Sequence, residues 1–189
     1  MAVGQQTEHI IGEAAKVVGQ SGNYNEGMFV VRYVALLALV VWVGGMILLA
    51  LIVAPSTFGV LQAADPVSGR VLAGSLFGTI LGNFHVVEYV CALVVLVCLF
   101  AIKFVGPPPH AFIPRVAIVA VMLMLAVVSG LPVARQIARV QSEISGPVNA
   151  LPAADPLRVR FDRLHQTSTA LMTINMGLGL VLLFWYVRE

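Results

Sequence analysis

The sequence predicts an all-α protein: a four-helix transmembrane bundle with interfacial helix extensions. Hydrophobic residues fill 59% of the 189 positions and charged residues only 11%, roughly half the charged share of a soluble domain. The mean hydropathy is +0.95. The charges are also segregated, because almost all of them fall outside four apolar runs, each long enough to supply the ~20 residues of a membrane span. A formal net charge of +2 is too small to argue for nucleic acid as a partner, and no Gly-rich phosphate loop or basic–aromatic strip is present.

Residues 1–28 read as a polar to amphipathic segment, and 29–189 as the four-span membrane domain. The beginning of the chain lacks the early basic cluster, short apolar core and small-residue cleavage site of a secretory signal. Ile10, Ile11, Ala14, Ala15, Val17 and Val18 can line one side of a short helix lying on the membrane, which Ser21-Gly22-Asn23 would end.

The first span is expected over 33–54. Arg32 stands at its edge, where a long side chain can snorkel to the headgroups, and Pro55 ends it. Asp65-Pro66 opens the next helix, with Asp as the cap and Pro in the first turn, where no amide donor is needed. The run that follows is too long for one span. It reads as an approach segment over 66–81, a kink at Gly82-Asn83 and a span over 83–104, closed by Gly106-Pro107-Pro108-Pro109. The third span covers 114–134, with Pro132 kinking its end and an amphipathic continuation to Ile144. Asp155-Pro156 opens the fourth helix, whose apolar part covers 164–187 and ends in the interfacial aromatics Trp185 and Tyr186. Ala63-Ala64-Asp65-Pro66 and Ala153-Ala154-Asp155-Pro156 are identical, which fits either two independent caps or an ancient duplication of a two-helix unit. Lys and Arg divide almost evenly between the two ends of the bundle, so the positive-inside rule sets no orientation. Cys91 and Cys98 lie seven apart on one helix, too far to bridge, and read as reduced packing residues.

Polar groups inside membrane helices are costly and therefore the first place to look for function. Gly74, Gly78 and Gly82 share one face of the second helix, a surface against which another helix backbone can pack closely. His85 and Glu88, at i and i+3, fall near that face, with Tyr89 on the same side. On the fourth helix Asp162 and His165 repeat the spacing, His165 shares a face with Thr169, Met172, Met176 and Gly179, and Ser168 and Asn175 sit beside it. Both helices enter the membrane from the same side, so His85 and His165 are expected at similar depth, with Arg135 near them.

Three readings of this cluster stand side by side. One is a structural network in which Arg135 neutralises Glu88 or Asp162. A second is a b-type haem held by His85 and His165 as axial ligands. A third is a metal or proton site built from His85, Glu88, Asp162 and His165. Met172 and Met176 would extend a soft-metal path or simply fill the core. His9 and His110 read as solvated. No Ser–His–Asp or Cys–His arrangement points to a hydrolase or transferase.

Phe161-x-x-Leu164-His165-x-x-Ser168, Trp42-Val43-Gly44-Gly45, Pro55-x-x-Phe58 and Ala73-Gly74-x-x-Phe77 resemble the pattern of the transmembrane protein 205-like family, whose bacterial members carry a domain of unknown function. The resemblance covers Arg32 to the last residue. It implies a four-helix membrane domain, in bacteria in the inner (cytoplasmic) membrane. The family is distantly similar to copper-resistance-D-like membrane proteins, among which haem binding and copper or porphyrin handling occur. Haem b, electron transfer or metal handling through His85 and His165 is therefore the leading expectation. The alternatives are an accessory to small-cation or metal transport and a structural subunit of a larger membrane complex. Expected partners are the lipid bilayer and other membrane subunits or a second copy of the chain.

Overall fold

The computed structural model describes residues 27–66, 68–105, 111–144 and 146–188. The surface helix expected before Ser21, the Pro-rich turn over 106–109, His9 and His110 lie outside the described residues. Four long helices follow one another: α1 (Gly27–Ala64), α2 (Gly69–Val105), α3 (Phe112–Glu143) and α4 (Pro156–Val187). No strand occurs among the described residues. All four are long and apolar enough to cross a membrane, and the chain is an integral membrane protein built as a four-helix bundle.

Both Asp-Pro pairs work as helix starts. The Asp65 carboxylate accepts from the Ser68 amide at 3.0 Å, and the Gly69 amide donates to the Asp65 carbonyl at 2.8 Å. The Asp155 carboxylate accepts from the Leu157 amide at 2.8 Å, with Pro156 in the first turn. The expected stop at Pro55 is not observed, because α1 runs on to Ala64. A π-turn over Leu49–Val53 ends two residues before the proline. Its wider coil takes up a residue that has no amide proton and crowds the turn before it. A second π-turn, Ser129–Val133, contains Pro132 and does the same in α3. In α2 the helix passes through Gly82-Asn83 without a break.

The shared π-turn makes α1 and α3 alike in more than shape. Buried residues Ala35, Leu39, Trp42, Met46 and Leu49 of α1 recur at the same intervals as Arg115, Val119, Met122, Ala126 and Ser129 of α3. The core is the layer these two faces enclose with Cys91, Ala92, Val95 and Leu99 of α2 and Leu182 of α4. Cys91 and Cys98 are buried free thiols. Within the apolar windows, 44% of α2 is buried and 17% of α4, so α2 is the central helix and α4 the most open. Leu37, Val40, Leu93, Val97 and Val181 point outward, where acyl chains replace protein at little cost. The exposed threonines of α2 and α4 are satisfied within their own helix: Thr79, Thr167, Thr169 and Thr173 each donate to the carbonyl four residues earlier.

At the end of the bundle where α3 begins and α4 finishes, buried Arg115 donates to the Trp185 carbonyl at 3.4 Å. Its guanidinium lies 5.0 Å from the centre of the Tyr186 ring. This fastens α3 to α4 at the level of the interfacial aromatics.

Gly179 allows α4 to close on α1. A Cβ there would overlap Val43 Cγ2 and come within 3.1 Å of Met122 Cε, and both of those side chains are buried. Gly179→Ala should lower stability by about 1–3 kcal/mol, seen as a drop in thermal midpoint in detergent. Gly177→Ala, with open space around it, should change stability by less than about 0.5 kcal/mol.

Candidate functional site: a buried His–Glu–Trp cluster

Glu88 is the only acidic residue in the buried core among the described residues, at 3% exposure. Its two oxygens have separate partners. His85 Nδ1 lies 2.6 Å from Oε2, one turn earlier on α2, and Trp42 Nε1 of α1 donates to Oε1 at 3.0 Å. The helical spacing brings imidazole and carboxylate together on one face. The Trp42 bond needs the α1–α2 packing.

The other side of His85 is set by α3. The π-turn brings Gly130 against the imidazole, so that a Cβ there would lie 2.8 Å from ring carbons of His85 and 2.6 Å from Tyr89 Oη. The Tyr89 ring stacks beside His85 at 6.3 Å between centroids, 14° from parallel. Within the same π-turn Ser129 Oγ lies 3.5 Å from Ser168 Oγ of α4. A cavity of about 20 Å³ separates the four helices here, and His85, Glu88, Ser129, Ser168, Met172 and Asn175 are among its lining.

The charge bookkeeping of this cluster is simple. Among the described residues no Lys or Arg pairs with Glu88. Both carboxylate oxygens have a nitrogen within hydrogen-bond distance, Trp42 Nε1 on one and His85 Nδ1 on the other. A charge-assisted N–H···O bond of this length is among the stronger ones. A hydrogen-bonded imidazole and carboxylate can together take up and release a proton.

The expected partnership of His85 with His165 is overturned. Among the described residues no group of three or more His, Cys, Asp or Glu side chains is placed to hold a metal ion. His165 is exposed and stacks on Phe161 at 6.2 Å, with the rings 3° from parallel. The haem b, metal-binding and electron-transfer expectations fall with it. The reason is register. Counted from the Asp that opens each helix, the residue level with His85 is Asn175. His165 lies ten residues before Asn175, about 15 Å nearer the start of its helix at 1.5 Å per residue.

The remaining members of the expected cluster also separate. Asp162 is exposed and faces Arg158 at 4.0 Å, Arg135 is exposed on α3, and Glu88 takes Trp42 and His85 as partners. The glycine stripe does not carry the bundle's helix packing: a Cβ at Gly78 or Gly82 would meet nothing within 4 Å, and one at Gly74 only the end of Gln141. The residues that sequence reading left out of the site are Trp42, Ser129, Gly130, Ser168 and Asn175. The repeated Ala-Ala-Asp-Pro would have pointed to Asn175, since it sets the two helices in register.

Comparison with family models, with curated proteins and with solved structures finds no match to this chain. What fold and site define is a class: an integral membrane protein of four spans with a protonatable pair enclosed among them.

Trp42→Phe would leave Glu88 Oε1 buried without a donor. The expected loss is about 1–3 kcal/mol of stability, measured by thermal unfolding in detergent. In a Glu88→Leu background the same substitution should cost much less, since the acceptor is gone.

Proposed function

We propose that the chain is a membrane subunit that handles protons in the transport of a small cation, with His85 and Glu88 as its proton-binding pair. The observation that carries the reading is a hydrogen-bonded His–carboxylate pair, 2.6 Å apart and buried within a membrane helix, with no Lys or Arg paired to it among the described residues. Ionisable groups at such depth commonly mark ion or proton pathways. We further propose membership of the transmembrane protein 205-like family and residence in a bacterial inner membrane. The resemblance gains support from one contact between two of its motifs, the rings of Phe58 and Phe77 lying 6.3 Å apart.

A second reading, a structural subunit of a larger membrane complex, is favoured by the open glycine stripe. Among the described residues a Cβ at Gly78 or Gly82 would meet nothing within 4 Å, which leaves a small-residue surface suited to another helix. On that reading Gly78→Leu should abolish co-purification of a stoichiometric partner, or of a second copy, in mild detergent without lowering the thermal midpoint.

Proton transport predicts that the purified protein in liposomes passes protons down an imposed potential, read with an internal pH-sensitive dye. Glu88→Gln and His85→Gln should each reduce the flux at least ~10-fold, the order of effect expected when a proton-transfer group is removed. His165→Gln should leave it unchanged. A wild-type flux no greater than that of empty liposomes would sink the transport reading.

A further inference from the structure

Among the described residues, the buried core atoms His85 Nε2 and Asn175 Oδ1 have no hydrogen-bond partner. Their residues are 7% and 2% exposed, and both line the same cavity. Leaving such buried atoms unsatisfied is costly, so a pair of them facing one space calls for a shared partner. Their chemistry is complementary. With Nδ1 committed to Glu88, Nε2 is the ring nitrogen left to face the cavity, and when it bears a hydrogen it is a donor. Asn175 Oδ1 is an acceptor.

A molecule that accepts from one and donates to the other is water. The cavity measures about 20 Å³, above the roughly 10–15 Å³ one water needs. The Ser129 and Ser168 hydroxyls in its lining supply further hydrogen-bonding groups. The position is also a symmetrical one in the fold. His85 and Asn175 stand at equivalent places after their Ala-Ala-Asp-Pro starts, as do buried Ala92 and Leu182.

We infer that one water molecule is bound between α2 and α4, accepting a hydrogen bond from His85 Nε2–H and donating one to Asn175 Oδ1. It extends the Glu88–His85 pair across the bundle to the Ser129–Ser168 hydroxyls. The water site stands on the two orphaned atoms and the cavity. Its role as the exit for a proton rests on the transport reading above. In that role the Nε2 proton passes to the water as the water releases its other proton to one serine hydroxyl, that hydroxyl passes its own proton to the other serine, which hands one on, and the same relay run in reverse returns a proton to Nε2. No electrons or other reactants are involved.

Solid-state NMR of the full chain in lipid vesicles tests this directly. With ¹⁵N-histidine, the His85 signals are assigned by their loss in His85→Gln, and magnetisation is transferred from water to the ring nitrogens. The expected result is transfer to His85 Nε2 that survives in wild-type protein and disappears in Asn175→Leu, which fills the cavity and removes the acceptor. The Nδ1 signal of the Glu88 bond should persist in that variant. Absence of transfer in the wild type would overturn the bound water whatever the variant does, so the decision does not depend on Asn175→Leu folding. Dye-reported flux on the same vesicles separates the two ideas. Water transfer without proton flux retains the water site and removes the transport reading. Flux without water transfer overturns the water bridge and leaves transport standing.

Discussion

A carboxylate inside a membrane bundle has to be held by donors, and the core of this protein is arranged around that requirement. Glu88 takes one hydrogen bond from its own helix, through His85, and one from a neighbouring helix, through Trp42. The first is fixed by helical spacing and would exist in an isolated α2. The second exists only when α1 is packed against α2 in one axial register, because a slip of one residue would rotate the indole by ~100° and lift it 1.5 Å. The buried polar group thus specifies the register of an interface whose apolar contacts alone would tolerate sliding.

The π-turn of α3 completes the enclosure. It brings Gly130 to the imidazole face and Ser129 to the edge of the cavity. A straight α-helix interrupted by Pro132 would have bent at the same level and would not present these two residues together. The companion π-turn in α1, the matching burial intervals of α1 and α3, and the repeated Ala-Ala-Asp-Pro before α2 and α4 describe two similar halves. The halves differ where the chemistry is: one carries His85 and Glu88, while the other carries Asn175 at the level of His85 and Leu178 at the level of Glu88.

Much of this molecule was readable from composition and pattern alone. The four spans follow from apolar runs that hold few charges, because a backbone in hydrocarbon must satisfy its own amides and a helix is the way a single segment does so. The helix starts at Asp65 and Asp155 follow from cap chemistry, and the nearness of His85 to Glu88 follows from i, i+3 spacing. The persistence of α1 beyond Pro55 was not readable, since a proline signals a break and only the preceding π-turn removes the conflict.

The site was legible only in part. Sequence by itself determined that α2 carries a buried His–carboxylate pair. Which residues meet that pair from the other helices was decided by tertiary structure. Helix α4 is apolar on several sides, so its polar residues do not define its inward face. His165 looked inward and is exposed, whereas Ser168 and Asn175 line the cavity. The physical reason is that contacts within a helix are set by 3.6 residues per turn, while contacts between helices depend on rotation and axial shift, which are fixed by the summed packing of side chains such as Val43, Met122 and Leu182 around Gly179.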